Sequence, residues 1–190
     1  MSAPRPAVFV DRDGVLNAAV VRDGLPYPPA SPDDVVLLPG VDEACARLRA
    51  AGYLLVVVTN QPDIARGTQR REVVDAINVA IAGPLGIDDV RVCPHDDSDG
   101  CACRKPQPGM LLDAARALDI DLAASVLVGD RWRDVEAGRR AGCRTVHVRY
   151  DYQEREPVGA DATVDSLAAA ADWILTHRDS ERPYEEATRG

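Results

Sequence analysis

Short apolar runs alternate along the chain with segments whose apolar residues recur at helical spacing. The runs have the length and unbroken apolar character of strands that are buried on both faces. They lie at residues 8–10, 53–58, 90–92, 125–128 and 145–148. The helical patterns lie at residues 41–51, 68–82, 108–118, 131–141 and 164–177. This alternation predicts an α/β fold, a doubly wound, Rossmann-like parallel sheet with helices on both faces.

Two segments do not fit the alternation. Residues 17–40 contain five prolines, which exclude a regular helix over most of the segment, and a loop of this length is usually functional. Residues 93–109 are rich in Gly, Asp and Cys. Gly83 and Pro84 are predicted to end the helix before them. We expect one domain at residues 1–177, followed by a charged, frayed tail at residues 178–190.

Composition narrows the range of partners and compartments. The net charge of −9 argues against a nucleic-acid or anionic-membrane partner, because both favour basic surfaces. No stretch approaches the roughly 20 apolar residues that a membrane helix needs, and the N-terminus has no signal-peptide profile. We therefore expect a cytoplasmic protein. The acidic surface and the absence of a heptad pattern favour a monomer.

Two carboxylates, Asp11 and Asp13, follow the first apolar run directly. On an extended segment, residues i and i+2 point to the same side, and adjacent carboxylates repel, so that one of them can hold a proton. This pair suits one ionised nucleophile and metal ligand beside one proton donor. The alternative is a simple turn, since Asp and Gly are favoured in turns. The position at a strand end favours a functional role.

Polar side chains also follow two other strands. Thr59 offers a hydroxyl to a phosphate oxygen, and Asp130 offers a carboxylate to a hard cation such as Mg²⁺. Either residue could instead cap the next helix. Asp134 lies four residues after Asp130, where a metal role and stabilisation of the helix dipole both stay open.

Lys105 is the only lysine in a chain with 21 arginines. A lysine beside an anionic nucleophile would supply compact positive charge to the transition state of phosphoryl transfer. The alternative is a solvated surface lysine. This alternative is weaker because Lys105 is the single lysine of the chain.

The most specific spacing in the chain is a Cys-x-His motif followed by a Cys-x-Cys motif. Three thiolates and one imidazole form the closed, tetrahedral set that structural zinc uses. Residues 96–100 between the motifs contain no apolar residue, so a metal would have to organise the loop. Disulfide or redox chemistry is the alternative, which an odd count of five cysteines and a reducing compartment disfavour. The predicted zinc ligands are Cys93, His95, Cys101 and Cys103.

Four motifs together resemble the haloacid dehalogenase superfamily of phosphatases. They occur in the expected order over residues 8–148. They are Asp11-Arg-Asp13-Gly14-Val-Leu-Asn17, Thr59-Asn60-Gln61, Arg104-Lys105-Pro106 and Gly129-Asp130-Arg131-x-x-Asp134. The cysteine loop narrows the resemblance to the branch of heptose-bisphosphate and histidinol-phosphate phosphatases, and the segments Gln61-Pro-Asp-Ile64-Ala65-Arg66-Gly67 and Pro108-Gly109-Met110 are more similar to the heptose enzymes.

The resemblance implies a Mg²⁺-dependent phosphatase. Asp11 would attack phosphorus and form an aspartyl-phosphate, and Asp13 would protonate the leaving oxygen and then activate water. Asp11, Asp130 and the backbone carbonyl of Asp13 would hold Mg²⁺, with Asp134 as a further candidate. Thr59 and Lys105 would bind the transferring phosphoryl group. The remaining candidates for substrate contacts are Asn60, Gln61, Arg104, Arg131, Arg22 and Arg66.

The implied substrate is a small phosphorylated sugar, with the 7-phosphate of D-glycero-D-manno-heptose 1,7-bisphosphate first and histidinol phosphate second. No interval between motifs is long enough for a large cap domain, so residues 17–40 and the zinc loop would have to wall the site. A phospho-accepting signalling receiver and a metal-organised binding module are alternatives from other classes. Asp13, two residues after Asp11, argues for turnover.

Overall fold

The computed structural model describes residues 3–178 and contains eight strands and five α-helices within them. In chain order they are β1 Ala7–Val10, β2 Val20–Arg22, β3 Leu25–Tyr27, α1 Val41–Ala50, β4 Leu54–Asn60, α2 Arg71–Leu85, β5 Asp89–Cys93, α3 Gly109–Leu118, β6 Val126–Gly129, α4 Trp132–Ala141, β7 Arg144–Val148, β8 Ala162–Val164 and α5 Leu167–Thr176. The predicted tail, apart from Arg178, lies outside the described residues.

Six strands form one parallel sheet in the order β5-β4-β1-β6-β7-β8. The sheet has an apolar core on each of its faces, and alternate residues of β1 point into one or the other. Val8 and Val10 pack with α1, α2 and α5, whereas Ala7 and Phe9 pack with α3 and α4. The predicted doubly wound α/β fold is therefore confirmed.

The central strands carry the polar residues to one edge of the sheet. Val10, the last residue of β1, pairs with Val57 of β4 and with Val128 of β6, so β1 ends between these two strands, and β4 runs three residues further. Parallel sheets bind their ligands beyond the carboxyl ends of such strands. The segments that follow β1, β4 and β6 consequently meet at one place.

The proline-rich segment forms an antiparallel hairpin, β2–β3, which the sequence analysis did not predict. Its turn is built by Asp23 and Gly24, whose φ angles of 50° and 74° suit the tight turn that Asp-Gly favours. This hairpin is the principal insertion after β1, and no large cap domain is seen in residues 3–178.

The predicted end of α2 at Gly83 and Pro84 is wrong, because the helix continues to Leu85. A residue before proline normally avoids the helical conformation, since its Cβ clashes with the ring. Gly83 has no Cβ, so the helix passes through Pro84 before it ends. The edge strand β8 was also not predicted, and α5 begins only at Leu167, after the Ser166 cap.

A search of the helices in residues 3–178 finds none whose length and apolarity would let it cross a bilayer.

Two valines of α2 provide a test of the core. Val74 is 1% exposed and Val79 is 72% exposed. We expect Val74→Ala to lower the free energy of unfolding by about 2 kcal/mol, because it removes buried methyl groups and leaves a cavity. Val79→Ala should change it by less than about 0.5 kcal/mol. Urea unfolding of both variants measures this difference, and equal costs would contradict the placement of α2.

Candidate active site

Lys105 occupies the centre of the site as a buried cation between two carboxylates. Its Nζ lies 2.8 Å from Asp11 Oδ1 and 2.5 Å from Asp134 Oδ1, and it donates to the backbone oxygen of Val58 at 2.7 Å. Only 2% of the residue is exposed. The single lysine of the chain is thus a paired internal charge.

Asn60, at the end of β4, fixes the backbone that carries Lys105. Its Oδ1 accepts from the Lys105 backbone nitrogen and its Nδ2 donates to the Lys105 carbonyl, both at 3.0 Å. These two bonds use one donor and one acceptor site of the amide that the sequence analysis assigned to the substrate. Asn60 lines the cavity, but its contacts are those of a support for Lys105.

Three carboxylates cluster around this lysine. Oxygen atoms of Asp11, Asp130 and Asp134 lie within 4.8 Å of one another. Burial raises the pKa of Asp11 to about 6, although Lys105 opposes the shift, and Asp134 adds to it. Burial and the neighbouring carboxylates also raise the pKa of Asp130 well above its usual value. The cluster therefore carries more negative charge than Lys105 can balance.

The excess charge fits a divalent cation. Asp130 Oδ1 is buried and has no hydrogen-bond partner among the described residues. A buried carboxylate oxygen needs a partner, and hard cations such as Mg²⁺ prefer carboxylate oxygens as ligands. The donor set of Asp11 and Asp130, with Asp134 beside them, therefore fits the predicted magnesium ion.

Asp134 stabilises the start of α4, one of the two roles that the sequence left open, and it also pairs with Lys105. Its Oδ2 accepts from the backbone nitrogen of Arg131 at 3.0 Å and caps α4, whereas its Oδ1 pairs with Lys105. A Cβ on Gly129 would lie 2.2 Å from the Asp134 Cβ, so only a glycine lets the helix start approach the end of β6 this closely.

Asp13 is held by a set of donors at the wall of the cavity. Arg12 Nη2 donates to its Oδ2 at 2.8 Å, Asn17 Nδ2 to its Oδ1 at 3.0 Å, and Gln61 Nε2 to its Oδ2 at 2.9 Å. The Arg12 guanidinium is itself buried and donates to Asn78 Oδ1 at 2.7 Å. The sequence analysis missed Arg12 and Asn17, although both stand inside the first motif.

Gln61 lines the cavity and also makes hydrogen bonds with two other side chains of the site. Besides Asp13, its Nε2 donates to Thr59 Oγ1 at 2.8 Å, and both residues are buried. Gln61 therefore links the two strand-end segments that carry Asp13 and Thr59. The sequence analysis assigned Gln61 to the substrate, and the structure gives it this orienting contact.

A cavity of about 250 Å³ opens above these groups. The hairpin strand β3 forms one wall, and the loop after β5 contributes Asp97 and Arg104. Among the described residues, Arg22 does not line the cavity and lies instead over the Tyr27 ring at 5.7 Å. The two segments expected to wall the site do so, but without Arg22.

Four arginines line the cavity, and each is paired with an acid. Arg66 donates to Asp96 at 2.7 Å, and Arg131 binds Glu154 through two nitrogens. Arg104 and Arg133 converge on one carboxylate, Asp97, at 2.7 and 3.0 Å. Sequence reasoning missed Arg133, which lies at an unspecified position of the fourth motif, and it missed Asp97 and Glu154, which lie outside the four motifs.

The four predicted zinc ligands lie together beside the cavity. Cys103 Sγ is 3.2 Å from Cys93 Sγ, 3.4 Å from Cys101 Sγ and 3.3 Å from His95 Nδ1. Sulfur atoms bound to one tetrahedral zinc at about 2.3 Å would be separated by about 3.7 Å. Arg104, next along the chain, donates to the His95 carbonyl at 3.2 Å, so the cluster supports the cavity rim.

Comparisons with known proteins agree with this geometry. A family model described as HAD-hydrolase-like matches residues 102–170. A curated protein of Bordetella bronchiseptica, named D-glycero-beta-D-manno-heptose-1,7-bisphosphate 7-phosphatase, is 42% identical over 144 residues, which cover 72% of this chain and 76% of that protein. A protein of the same name from Yersinia pestis is 38% identical and covers 92% of each chain.

A solved structure shows the same fold. The D,D-heptose 1,7-bisphosphate phosphatase of B. bronchiseptica, complexed with magnesium and phosphate, superimposes with a TM-score of 0.77 at 37% identity. The match covers 90% of this chain and 99% of that one.

Lys105→Met tests the central charge cluster. Without the ammonium group the buried carboxylates lose their counter-charge, which should cost about 3–5 kcal/mol at neutral pH. The cost should shrink towards about pH 5. At this pH the buried carboxylates of the folded variant, whose pKa values are raised, keep their protons, whereas the same groups in the unfolded chain are ionised. Stability of the variant should therefore fall as pH rises through the raised values. Thermal unfolding without divalent ions measures this.

The matched control is Arg71→Met, whose partner Asp75 is exposed. This change should cost less than about 1 kcal/mol and show little pH dependence. An equal, pH-independent cost for both variants would contradict the proposed cluster.

Proposed function

Because the chain belongs to the haloacid dehalogenase-like family of heptose-bisphosphate phosphatases, we propose that it hydrolyses the 7-phosphate of D-glycero-D-manno-heptose 1,7-bisphosphate. The observation that carries the proposal is the buried Asp11–Lys105–Asp134 cluster at the base of an arginine-lined cavity. The enzyme is a phosphoric monoester hydrolase, and the family relatives support the sugar bisphosphate as its substrate.

Asp11 is the proposed nucleophile. Its pKa is raised to about 6, so the carboxylate is ionised and basic near neutral pH. Lys105, at 2.8 Å, holds this carboxylate at the base of the cavity, where Thr59 also lies. In-line attack on phosphorus gives an aspartyl-phosphate and releases the sugar oxygen. Lys105 and Thr59 bind the transferring phosphoryl group and stabilise its charge.

Asp13 is the proposed general acid and base. Arg12, Asn17 and Gln61 fix its carboxylate at the cavity wall, which supports a positioned proton transfer. It donates a proton to the leaving sugar oxygen and then takes one from the water that hydrolyses the aspartyl-phosphate. This second step distinguishes a phosphatase from a receiver domain, which would retain its phosphoryl group.

Asp11, Asp130 and the backbone carbonyl of Asp13 would hold Mg²⁺, with Asp134 adjoining the set. When bound, Mg²⁺ neutralises part of the charge on the phosphoryl oxygens. The excess carboxylate charge and the unpartnered oxygen of Asp130 support this assignment.

The paired arginines at the rim favour a second anionic group on the substrate. Two guanidinium groups, from Arg104 and Arg133, share the one carboxylate of Asp97, so these three residues together carry one positive charge. Arg131 and Arg66 lie further along the rim. A sugar bisphosphate offers such a second anion, whereas histidinol phosphate offers an amine.

The four-ligand cluster is proposed to bind a structural zinc ion. Its thiols are close together and its set is closed, which supports a role in ordering the loop that carries Arg104 and Lys105. A cytoplasmic location is also part of the proposal. A single phosphatase domain at residues 1–177, acting as a monomer without nucleic-acid or membrane partners, completes the proposal.

A substrate panel tests the reaction and its specificity. With Mg²⁺ present, phosphate release should be faster from heptose 1,7-bisphosphate, in either anomer, than from histidinol phosphate. Asp11→Asn should lower this rate by at least about a thousandfold, because it removes the nucleophile. Asp75→Asn, the same change at an exposed site on α2, should leave the rate unchanged. No release from any of these compounds would refute the assignment.

Metal analysis tests the zinc site. The purified chain should contain about one zinc, and Cys101→Ser should lose most of it together with thermal stability. Cys45→Ser is the control, since Cys45 is buried in the other core, and its pKa is raised by burial to about 11. That variant should keep its zinc. A folded, active chain without zinc would argue against the site.

A further inference from the structure

A segment outside the four motifs reaches into the site. Residues 149–157, here called the strap, follow β7 and have no regular secondary structure. Three consecutive residues anchor it. The Tyr152 hydroxyl donates to Asp130 Oδ2 at 2.9 Å, the Gln153 nitrogen donates to the Gly24 carbonyl at 2.9 Å, and Glu154 pairs with Arg131. The strap thus ties the hairpin and the cavity rim to the proposed magnesium site.

The Tyr152 hydroxyl lies directly below the loop that follows β1. A Cβ on Gly14 would be 2.0 Å from Asp130 Oδ2 and 3.1 Å from the Tyr152 hydroxyl. Gly14, with a φ of 88°, therefore lets the loop close over this hydrogen bond. The Tyr150 ring stacks on Tyr152, with centroids 5.1 Å apart and planes within 4°, so the position of the hydroxyl is fixed by packing.

This contact leaves the two oxygens of Asp130 unequal. Oδ2 accepts from Tyr152, whereas Oδ1 has no hydrogen-bond partner within residues 3–178. His147 Nε2, at 3.2 Å from the Asp130 backbone oxygen, supports the same residue from β7. Tyr152 thus fixes the orientation of the Asp130 carboxylate through Oδ2, and Oδ1 is left for a cation.

We propose that Tyr152 is a positioning residue that orients Asp130 as a ligand for Mg²⁺. The inference rests on the proposed function, which assigns Asp130 to the metal. Tyr152 does not line the cavity, so it acts through Asp130 and not on the substrate. Mg²⁺ demands near-ideal octahedral geometry, and partners that orient its ligands typically change metal affinity by 10- to 100-fold.

The test compares Tyr152→Phe with Tyr150→Phe. Both changes keep a stacked ring. The Tyr150 hydroxyl feels the charge of Asp130, but within residues 3–178 only the Tyr152 hydroxyl donates a hydrogen bond to that carboxylate. Protein dialysed free of Mg²⁺, with its zinc retained, is titrated with Mg²⁺ alone by calorimetry. We expect Tyr152→Phe to weaken Mg²⁺ binding by about 10-fold or more and Tyr150→Phe to change it by less than about twofold.

A spectroscopic readout covers the case in which Tyr152→Phe folds poorly. In the wild type, Mg²⁺ should perturb the near-ultraviolet absorption of tyrosine, because the acceptor of the Tyr152 hydroxyl becomes a metal ligand. Tyr150→Phe should retain the change and Tyr152→Phe should lose it. No perturbation in the wild type would overturn the inference.

The outcomes separate this inference from the proposed function. Equal Mg²⁺ affinity in the two variants would overturn the role of Tyr152, even if the wild type hydrolyses heptose bisphosphate. Weaker Mg²⁺ binding by Tyr152→Phe alone would support the role, even if no sugar bisphosphate is turned over.

Discussion

The ion pairs of Lys105 are the interaction on which the site depends. A buried ammonium group is costly unless it is paired, and here it pairs with Asp11, directly after β1, and with Asp134 in the first turn of α4. Its backbone is clamped by Asn60, and the predicted zinc loop precedes it in the chain. The lysine can occupy this position only when β1, β4, β6 and the loop are all in place. The site is therefore held together by contacts between all four of these segments.

The charge distribution separates two tasks. At the base, carboxylates outnumber the single cation, which suits a divalent metal ion and a nucleophile. At the rim, arginines are held by acids, and this pairing keeps their side chains ordered while a phosphorylated ligand is absent. The hairpin, the predicted zinc loop and the strap surround this rim in place of a cap domain. The cavity therefore stays open enough for an extended, doubly phosphorylated sugar.

The sequence predicted the parts of this structure that depend on local pattern. Unbroken apolar runs predicted the central strands. Asp11, Thr59 and Asp130 were predicted as site residues because they are polar residues at the ends of these runs. Contacts across the fold could not be predicted in this way. The strap and its Tyr152 contact have no motif, and β8 is too short and too exposed to give a signal. The Asp23-Gly24 dipeptide is a hairpin-turn signal, but the prolines around it led to the prediction of an irregular loop.

Phosphorylation of Asp11 during turnover fixes the stereochemistry at phosphorus. Two successive in-line displacements, first by Asp11 and then by water, retain configuration, whereas direct attack by water inverts it. The substrate is a heptose 1-phosphate 7-phosphorothioate whose two non-bridging oxygens at the 7-position are different isotopes, and it is hydrolysed in water of the third isotope. We predict retention in the released chiral thiophosphate. Inversion would contradict the account, because it would leave no step for the Asp11 carboxylate as a nucleophile.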